Sequence, residues 1–485
     1  MNKYIGQTSA DIQPGHRLEH LLITDLTIDG RGFARYEGRV VFLDEGMLGA
    51  VVNACVTKVR KNFIEAEVTT VIKKSPCLTL PWCSHFSVCG ACLWQSLSQQ
   101  EVLKWKHAHV RETLARIGKV DNIPIAPVMP SPRLKEFRNK MSFAFVTGND
   151  SLPMLGLRKR KEHAVVEVTA CGMQPDVVMQ ILHRTRSAIK RLGLSAYCRN
   201  ENKRLCGYLR YLVIHTPQFY PDGNPQILVE CITGPAHQDK VCVQDYGHQK
   251  SKKMVNLDAV RQLGQELMDH FSLTGFVHGE RHQPSDVAQS DRLVGVLGSD
   301  KFVERFGHLL LTVPYNAFLQ TNTGAATLLF ELIAQEAGLD SSQTVWDFYS
   351  GIGSIGLYLA PMARAVHGLE IQPAAVVAAR ANSAALGHAH CHFHQGALTR
   401  ERIATLPVPD VVVVDPPRSG LESSAMEALL HIPATRLLYV SCDAGTQARD
   451  IARLASRFKP VKSLPVDMFP YTPHVENLVI LEGIK

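Results

Sequence analysis

The sequence predicts an α/β multidomain protein with a small N-terminal β-barrel, a central α/β domain and a C-terminal domain built on a doubly wound parallel sheet. Short strand-like runs separated by glycine turns fill residues 16–75. Strand-like and helical runs are mixed through residues 76–300. Over residues 301–485, strands that end in Gly or Asp alternate with alanine-rich helical segments, the pattern of a parallel sheet. A chain of 485 residues has room for about three such domains.

Composition places the chain among ordinary globular proteins. Hydrophobic residues make up 45% and charged residues 20%, which excludes a disordered or fibrous chain. No apolar run reaches the roughly 18 residues of a membrane span, and the first residues do not resemble a signal peptide. We therefore expect a cytoplasmic protein with no membrane partner. In that compartment the 12 cysteines predict metal ligands, a nucleophile or buried thiols rather than disulfides.

Basic residues are clustered in the first third of the chain. The formal net charge of +7 is modest for this length, but three runs concentrate it: Lys58–Lys61, Arg133–Lys140 and Arg158–Lys161. A single run of this kind is usually a solvated face. Their concentration in one part of the chain favours a surface that contacts phosphates, and therefore a nucleic-acid partner.

The N-terminal segment predicts a closed barrel of short strands. Turn signals at 29–32, 37–38 and 45–46 separate these strands. Small barrels of this kind often bind RNA. The stretch Asp29-Gly30-Arg31-Gly32-Phe33-Ala34 is similar to the glycine-rich signature of the TRAM domain, an OB-like barrel, and this resemblance implies an RNA-binding module.

A cysteine group follows the barrel. Cys77, Cys83, Cys89 and Cys92 place four thiols within 16 residues, which predicts a metal ion or an iron–sulfur cluster. The spacing alone does not separate zinc from iron. Beyond it, apolar residues at spacings of three and four predict a helix over 93–117, and this helical segment (about 93–120) is a candidate to pack on the C-terminal domain.

The C-terminal domain carries a ligand-binding pattern. The glycine turn Gly351–Gly356 follows a strand and opens a helix, an arrangement that binds a dinucleotide or S-adenosylmethionine. Glu370 ends the second strand, where it suits ribose hydroxyls, and Asp415 ends the fourth strand beside the switch point of the sheet. Because no separate proton-donor system for a dehydrogenase stands out, the pattern favours S-adenosylmethionine. The strands are predicted at 345–350, 365–370, 411–415 and 437–442.

Cys442 ends the fifth strand, and we expect it in the same cleft as Asp415 because the fourth and fifth strands of such a sheet are neighbours. A lone cysteine there is usually a small core residue. Methylation of a pyrimidine ring carbon, however, needs a thiol: thiolate addition to uracil C6 makes C5 nucleophilic, and a base then removes the C5 proton. Glu476 in the tail is the candidate base, with a solvated surface acid as its alternative.

Five stretches in order along the chain resemble the RNA uracil-5-methyltransferase family. The separation of Cys442 and Glu476 also suits that family (476 − 442 = 34). With the barrel and the cysteine motif, the resemblance covers nearly the whole chain. The stretches are Phe318–Asn322, Asp347–Gly353, Asp415–Gly420, Ser441-Cys442 and Asp467–Glu476.

The resemblance implies a Rossmann-like catalytic domain that uses S-adenosylmethionine to form 5-methyluridine in RNA. It implies Cys442 as the nucleophile and Glu476 as the base. It further implies that six residues contact S-adenosylmethionine or the pyrimidine, or shape their pocket: Gln320, Tyr349, Gly351, Gly353, Glu370 and Asp415.

The resemblance also implies a 4Fe-4S cluster. Cys83, Cys89 and Cys92 match the cluster motif of the family, in which a distant cysteine supplies the fourth thiolate. Cys171 is the favoured fourth ligand, and Cys77 competes for that place.

Two short stretches complete the comparison with the family. Phe137-Arg138-Asn139-Lys140 resembles a Y/F-R-N-K stretch expected on RNA. Asp443-Ala444-Gly445-Thr446 departs from the usual Asn-Pro-Ala-Thr after the nucleophile, which affects the geometry of that loop.

Three other functions fit the sequence less well. An RNA cytosine-5-methyltransferase would place a cysteine just after the fourth-strand Asp-x-Pro, where this chain has Arg418, and an amino-group methyltransferase would have an aromatic residue there. A non-catalytic RNA-binding protein would not need both Cys442 and Glu476. Family members with both the barrel and the cysteine motif mostly resemble large-subunit ribosomal RNA enzymes. We therefore expect 23S rRNA as the substrate, with tRNA second, and a monomeric enzyme.

Overall fold

The computed structural model describes residues 12–148, 152–160, 162, 164–199, 205–220, 222–235 and 257–484. They form two compact units. The first comprises the described residues up to Phe86 with Cys92–Lys106 and Phe469–His474, and the second comprises Ser87–Ala91, His107–Met468 and the residues from Val475 onward. Most of the predicted central and C-terminal domains lies in the second unit, but residues 76–86 and Cys92–Lys106 of the central domain and Phe469–His474 of the C-terminal domain belong to the first. A domain boundary near residue 300 stays a prediction.

The N-terminal strands form one six-stranded sheet in the order β1-β5-β6-β4-β3-β2. Its inward side chains make a single apolar core, so the sheet curls around its own interior as predicted. The glycine signature has a steric cause: a Cβ on Gly32 would lie 2.6 Å from the carbonyl oxygen of Glu45. The strands are β1 (Arg17–Leu22), β2 (Asp25–Leu26), β3 (Gly32–Tyr36), β4 (Arg39–Leu43), β5 (Val51–Val59) and β6 (Phe63–Lys73).

The helix predicted from residue 93 begins later than expected. Helix α1 spans Gln99–Arg116. Trp94 and Leu97 precede it and are buried in a small apolar cluster of the first unit, so their spacing reflects burial in a loop and not a helix face. In the second unit, Val110 and Leu114 of α1 lie in the apolar core of the C-terminal sheet.

The central part is a seven-stranded mixed sheet in the order β15-β14-β13-β12-β7-β8-β9. Its middle strands β12, β13 and β14 are buried along their whole length. These elements are β7 (Lys140–Thr147), β8 (Pro153–Arg158), β9 (Val165–Val166), α2 (Asp176–Arg191), β10 (Cys198–Arg199), β11 (Leu205–Cys206), β12 (Leu209–His215), β13 (Leu228–Thr233), α3 (Leu257–His270), β14 (Gly275–Glu280), β15 (Arg292–Gly298), β16 (Lys301–Phe306) and β17 (Leu309–Pro314).

The C-terminal sheet has the order β20-β19-β18-β21-β22-β24-β23. Strands β18 to β22 are parallel, which confirms the predicted doubly wound sheet, and β24 is antiparallel to β22. The elements are α4 (Thr323–Ala337), β18 (Thr344–Phe348), α5 (Ser354–Leu359), β19 (Ala365–Glu370), α6 (Pro373–Ala385), β20 (Cys391–Gln395), α7 (Arg400–Ile403), β21 (Val411–Val414), α8 (Ser423–Leu430), β22 (Arg436–Ser441), α9 (Ala444–Leu454), β23 (Phe458–Val466) and β24 (Glu476–Gly483).

Among the described residues, none of the helices combines the length and the apolar character needed to cross a bilayer.

Candidate active site

A C-terminal hairpin places Glu476 beside the strand that leads to Cys442. Strand β24 runs antiparallel to both β22 and β23, and Ser441 is paired with Asn477. The residues one step beyond this pair are Cys442, after β22, and Glu476, at the start of β24. Cys442 and Glu476 therefore face each other. The sequence predicted β22 and the cysteine at its end. It did not predict the hairpin that brings Glu476 back to Cys442 from 34 positions further along the chain.

A buried polar network holds this register. Gln447 Nε2, on α9, donates hydrogen bonds to the carbonyl oxygens of Tyr439 (2.8 Å) and Asn477 (2.9 Å). Asn477 Nδ2 donates to Gln447 Oε1 at 2.8 Å, and Ser463 Oγ donates to Asn477 Oδ1 at 2.8 Å. A shift of the β22–β24 register by one residue would leave these buried groups without hydrogen-bond partners, at a cost of roughly 1–3 kcal/mol each. The network therefore keeps Glu476 opposite Cys442.

Arg418 brings a positive charge to the thiol. Its guanidinium is close enough to lower the pKa of Cys442. Helix α9 fixes the loop that carries it, because Thr446 Oγ1 donates to the carbonyl oxygen of Arg418 at 3.1 Å. In the same loop, Leu421 N donates to Asp450 Oδ2 at 2.7 Å. The nucleophile candidate and its cationic neighbour are thus positioned by one helix.

The thiol of Cys442 is neutral at rest. Burial, and after it the neighbouring Glu476 carboxylate, raises the pKa of Cys442 to about 11, while Arg418 opposes this by its charge. Asp415 also raises the pKa. Because the thiolate is the nucleophilic form, neutralising either carboxylate would make this cysteine more reactive.

Asp415, which is half-buried, and Glu476, which is buried, form an acidic pair. Burial raises the pKa of Asp415 to about 7. Burial also raises the pKa of Glu476 well above its usual value, with a further contribution from Asp415 and an opposing one from Arg418. Two adjacent carboxylates resist simultaneous ionisation, so the pair retains a proton near neutral pH. Such a pair is able to exchange protons with a bound substrate.

The glycine turn after β18 is held between two acidic side chains. Gly356 N donates to Asp347 Oδ2 at 2.8 Å. Gly351 N donates to Glu370 Oε2 at 3.0 Å, and Gln372 N donates to Glu370 Oε1 at 2.8 Å. These bonds fix the turn against the carboxyl ends of β18 and β19, where ligands of open α/β sheets bind.

The turn is tight on one side and open on the other. Tyr349, Gly351 and Gly353 have φ values of +62°, +55° and +83°. A Cβ on Gly353 would lie 2.7 Å from the ring of Phe393, whereas a Cβ on Gly351 would meet nothing within 4 Å. Gly353 is therefore required by packing beneath the turn, and Gly351 borders free space.

Two buried polar atoms beside the turn have no hydrogen-bond partner in the described part of the chain: Asp347 Oδ1 and Ser350 Oγ. Burial raises the pKa of Asp347 to about 7, and the charges of Asp415 and Glu370 add to this. Unpaired buried polar atoms next to open space indicate a ligand site. S-adenosylmethionine, with its amino and hydroxyl donors, fits these acceptors. Since Asp415 acts on both Asp347 and Cys442, this site adjoins the thiol.

The loop that carries Gln320 is held by Asn139. Asn139 Nδ2 donates to the carbonyl oxygen of Gln320 at 2.9 Å and to Thr323 Oγ1 at 3.0 Å. Asn139 N donates to the carbonyl oxygen of Thr321 at 2.8 Å. Three bonds from one residue thus set the backbone path just before α4.

Two residues of Phe137–Lys140 have a structural role, and contact of this stretch with RNA stays a prediction. Phe137 and Asn139 are buried. Burial lowers the pKa of Lys140, and the Glu230 carboxylate opposes that shift. Phe137 and Asn139 are thus structural supports, and contact of the basic side chains of Arg133–Lys140 with phosphates stays a prediction. In contrast, the basic residues of Lys58–Lys61 are exposed. Lys161 of the third run lies outside the described residues.

The departure at Asp443–Thr446 leaves the helix start intact. Asp443 is the N-cap of α9, and its Oδ1 accepts a hydrogen bond from Thr446 N at 2.9 Å. An asparagine side chain would accept the same bond, so the two residues are equivalent caps.

The predicted metal ligands are divided between the two units: Cys83 and Cys92 belong to the first, and Cys89 and Cys171 belong to the second. Across the described ranges, no group of three or more His, Cys, Asp or Glu side chains is arranged to hold a metal ion. Cys83, Cys89 and Cys92 are partly exposed, and Cys171 is buried. The iron–sulfur cluster, and the choice between Cys77 and Cys171 as its fourth ligand, therefore stay predictions.

Sequence reasoning missed several contributors to the site. Arg418 was visible in the Asp-Pro-Pro-Arg stretch, but it served there only to exclude other enzyme classes. Asp347 was seen as a strand residue and not as the unpaired acid beneath the turn. Gln447 and Asn477 left no pattern at all, because their pairing depends on elements far apart in sequence.

Family models match two parts of the chain. Residues 407–484 match the model described as tRNA (Uracil-5-)-methyltransferase. Residues 18–69 match the TRAM domain. The first range contains Cys442 and Glu476, and the second covers most of the N-terminal sheet.

Relatives extend the similarity over nearly the whole chain. A protein of Nitratidesulfovibrio vulgaris described as an uncharacterized RNA methyltransferase is 39% identical over 470 residues, which are 95% of this chain and 96% of the relative. A protein of Caldanaerobacter subterraneus with the same description is 30% identical over 95% of this chain and 97% of its own length.

A solved structure shares the fold. The crystal structure of Pyrococcus abyssi tRNA (uracil-54, C5)-methyltransferase with S-adenosyl-L-homocysteine has a TM-score of 0.69 at 22% identity, covering 95% of this chain and 99% of that one. This likeness concerns the fold. The relative from Nitratidesulfovibrio vulgaris, together with the matched family models, establishes that the chain belongs to the family of S-adenosylmethionine-dependent RNA uracil-5-methyltransferases.

Proposed function

We propose that the enzyme methylates C5 of a uridine in 23S rRNA, with Cys442 as the nucleophile and Glu476 as the base. One observation carries this proposal: Cys442 has the Arg418 guanidinium and the acidic pair of Asp415 and Glu476 as its charged neighbours. Methylation of a nitrogen or oxygen atom needs no thiol, whereas methylation of a pyrimidine carbon needs a thiol and a base.

In the proposed mechanism, the Cys442 thiol gives its proton to water and its sulfur bonds to C6 of the uracil. The C5–C6 double-bond electrons move toward C5 and O4, and Arg418 stabilises the thiolate as it forms. Bound S-adenosylmethionine supplies the electrophilic methyl group that C5 accepts. Ionised Glu476 then takes the C5 proton, the C5–C6 double bond re-forms, and the C6–S bond breaks with its electron pair returning to sulfur.

The residues around the glycine turn are proposed to hold the methyl donor. Glu370 is placed at the end of β19 for ribose hydroxyls, and Gly351 leaves room beside it. Gln320, whose loop is fixed by Asn139, is proposed to contact the pyrimidine or the donor. The proposed donor-binding residues are Gln320, Tyr349, Gly351, Gly353, Glu370 and Asp415.

The choice of 23S rRNA rests on the joint occurrence of the barrel and the cysteine motif. The fold shared with the Pyrococcus tRNA enzyme keeps tRNA as the second candidate. Because the proposed catalytic groups all come from one chain, we further propose that the enzyme acts as a monomer, in the cytoplasm.

Deletion of the gene should remove 5-methyluridine from 23S rRNA and leave tRNA unchanged. Mass spectrometry of nucleosides from the two purified RNA pools measures this. The wild-type gene should restore the modification, and the Cys442→Ala gene should not. Loss of 5-methyluridine from tRNA alone would show that tRNA, and not 23S rRNA, is the substrate. Loss of 5-methylcytidine in place of 5-methyluridine would refute the assignment to uracil.

We also propose, from the sequence motif alone, that Cys83, Cys89, Cys92 and Cys171 bind a 4Fe-4S cluster with a structural role. Anaerobically purified protein should then contain about four irons and four sulfides per chain. Cys89→Ser should lose both, whereas Cys55→Ser, in the barrel, should keep them. Protein that contains zinc but neither iron nor sulfide would rule the cluster out.

A further inference from the structure

Three phenylalanine side chains form a continuous row on the outer face of the N-terminal sheet. Phe33 lies on β3, Phe42 on β4 and Phe63 on β6. The ring centroids of Phe33 and Phe42 are 6.0 Å apart, and those of Phe42 and Phe63 are 5.3 Å apart. Both contacts are edge-to-face, at 64° and 67°. We refer to these three residues as the aromatic row.

The barrel does not use this row to build its interior. Each ring alternates along its strand with a fully buried neighbour: Ala34, Val41 and Ile64. The rings themselves remain partly exposed, and none of them belongs to the apolar core of the barrel or packs against it. Three adjacent phenyl groups on a surface form an apolar patch of the kind that marks a binding site.

Positive charge surrounds the aromatic row. The Arg31 guanidinium carbon lies 4.8 Å from the ring centre of Phe42, and that of Arg35 lies 5.7 Å from the ring centre of Phe33. Arg31 is paired with Asp29 at 2.7 Å. No ion pair involving Arg35 occurs within the described residues, and the same holds for the exposed cations at 58, 60 and 61.

We propose that the aromatic row is a stacking platform for unpaired RNA bases. The proposal rests on RNA being the substrate, and it deepens the role of the barrel from general RNA affinity to recognition of single strands. Every base offers a flat face to an aromatic ring, but a duplex hides those faces inside its base stack. Arg35, which lies against the ring of Phe33, suits a phosphate that accompanies an exposed base.

The platform should discriminate between unpaired and paired RNA. Fluorescence anisotropy with the full-length protein would compare a labelled oligouridine of about 12 nucleotides with a fully paired hairpin of equal length. Wild-type protein should bind the oligouridine more tightly. Phe42→Leu keeps an apolar side chain but removes the ring, so its affinity for the oligouridine should fall about fivefold or more. Phe42→Trp should keep wild-type affinity or exceed it.

Salt dependence separates stacking from phosphate contact. Phe42→Leu should weaken binding at every salt concentration without changing the slope of log affinity against log salt. Arg35→Gln should reduce that slope by about 0.7, the contribution of one phosphate on a single strand. Leu22→Ala, which removes an exposed apolar side chain from β1 of the same sheet, should change neither quantity.

Several outcomes would overturn the platform. If Phe42→Leu and the wild type bind the oligouridine with equal affinity, the aromatic row does not stack on bases, and its role is in packing of the barrel or in binding a protein. Equal binding of paired and unpaired RNA by the wild type would lead to the same conclusion. The assay contains no methyl donor, and Cys442→Ala should bind the oligouridine normally. Failure of the uracil chemistry would therefore appear only in methyl transfer, where Phe42→Leu should raise KM and leave kcat unchanged.

Discussion

Cys442→Ala should abolish RNA methylation, with a loss of rate on the order of a millionfold, the scale on which removal of a nucleophile acts in a covalent enzyme. The uracil C5 atom does not attack a methyl group until sulfur has added to C6. Transfer of a labelled methyl group from S-adenosylmethionine to RNA measures the loss. RNA that contains 5-fluorouridine provides a second measurement, because the wild type should be trapped as an adduct on a denaturing gel and the variant should not.

Cys391→Ala is the matched control for this variant. Cys391 lies on β20 of the same sheet, and burial raises its pKa to about 12, so it is an inert thiol. Its replacement should leave both methyl transfer and adduct formation near wild-type levels. If Cys442→Ala instead methylates RNA at close to the wild-type rate, Cys442 is a core residue and the methyl acceptor is a nitrogen or an oxygen atom.

Glu476→Gln should trap methylated RNA on the enzyme. Glutamine keeps the shape of the side chain but cannot take the C5 proton, so the sulfur cannot leave. Loss of a positioned base slows a reaction by about 100- to 10,000-fold, enough for the intermediate to accumulate. The label from S-adenosylmethionine should therefore migrate with the protein on a denaturing gel, with ordinary uridine in the RNA.

Two further variants make this experiment decisive. Glu482→Gln changes the same residue type near the exposed end of β24, and it should turn over normally without a trapped species. The double variant Cys442→Ala/Glu476→Gln should show no trapped species, since the bond to sulfur never forms. Normal turnover by Glu476→Gln would move the role of base to another group, and Asp415 is the nearest acid with a raised pKa.

The parallel strands around the site were predictable because a strand buried on both faces is apolar throughout. The run Ala365–Glu370 coincides with β19, and the strand 411–415 matches β21 with one extra residue. The hairpin of β23 and β24 was not predictable in the same way. β23 carries Lys and Pro residues, and its place beside β24 depends on a register that local sequence does not encode.

Other parts of the site depend on contacts between distant segments. Two basic residues made Phe137–Lys140 resemble a surface motif, but Asn139 is buried because it bonds to Gln320, 181 residues away. The raised pKa of Cys442 likewise comes first from burial and then from Glu476 and Asp415, which lie on two other segments of the chain. Residue type and spacing identified Cys442 and Glu476 as candidates for the thiol chemistry, whereas their shifted pKa values depend on the folded structure.

The first unit is not one stretch of sequence, because it includes Phe469–His474 from near the end of the chain. Within that unit, Trp94 N donates to the carbonyl oxygen of Tyr471 at 2.9 Å, and Lys106 Nζ donates to the first carbonyl oxygen of the segment at 3.1 Å. A gene fragment that begins after Lys106 would leave the residues just before Glu476 without these partners. The first unit as a whole is therefore not a cassette that recombination could exchange by a single crossover, because its last segment is encoded near the other end of the gene.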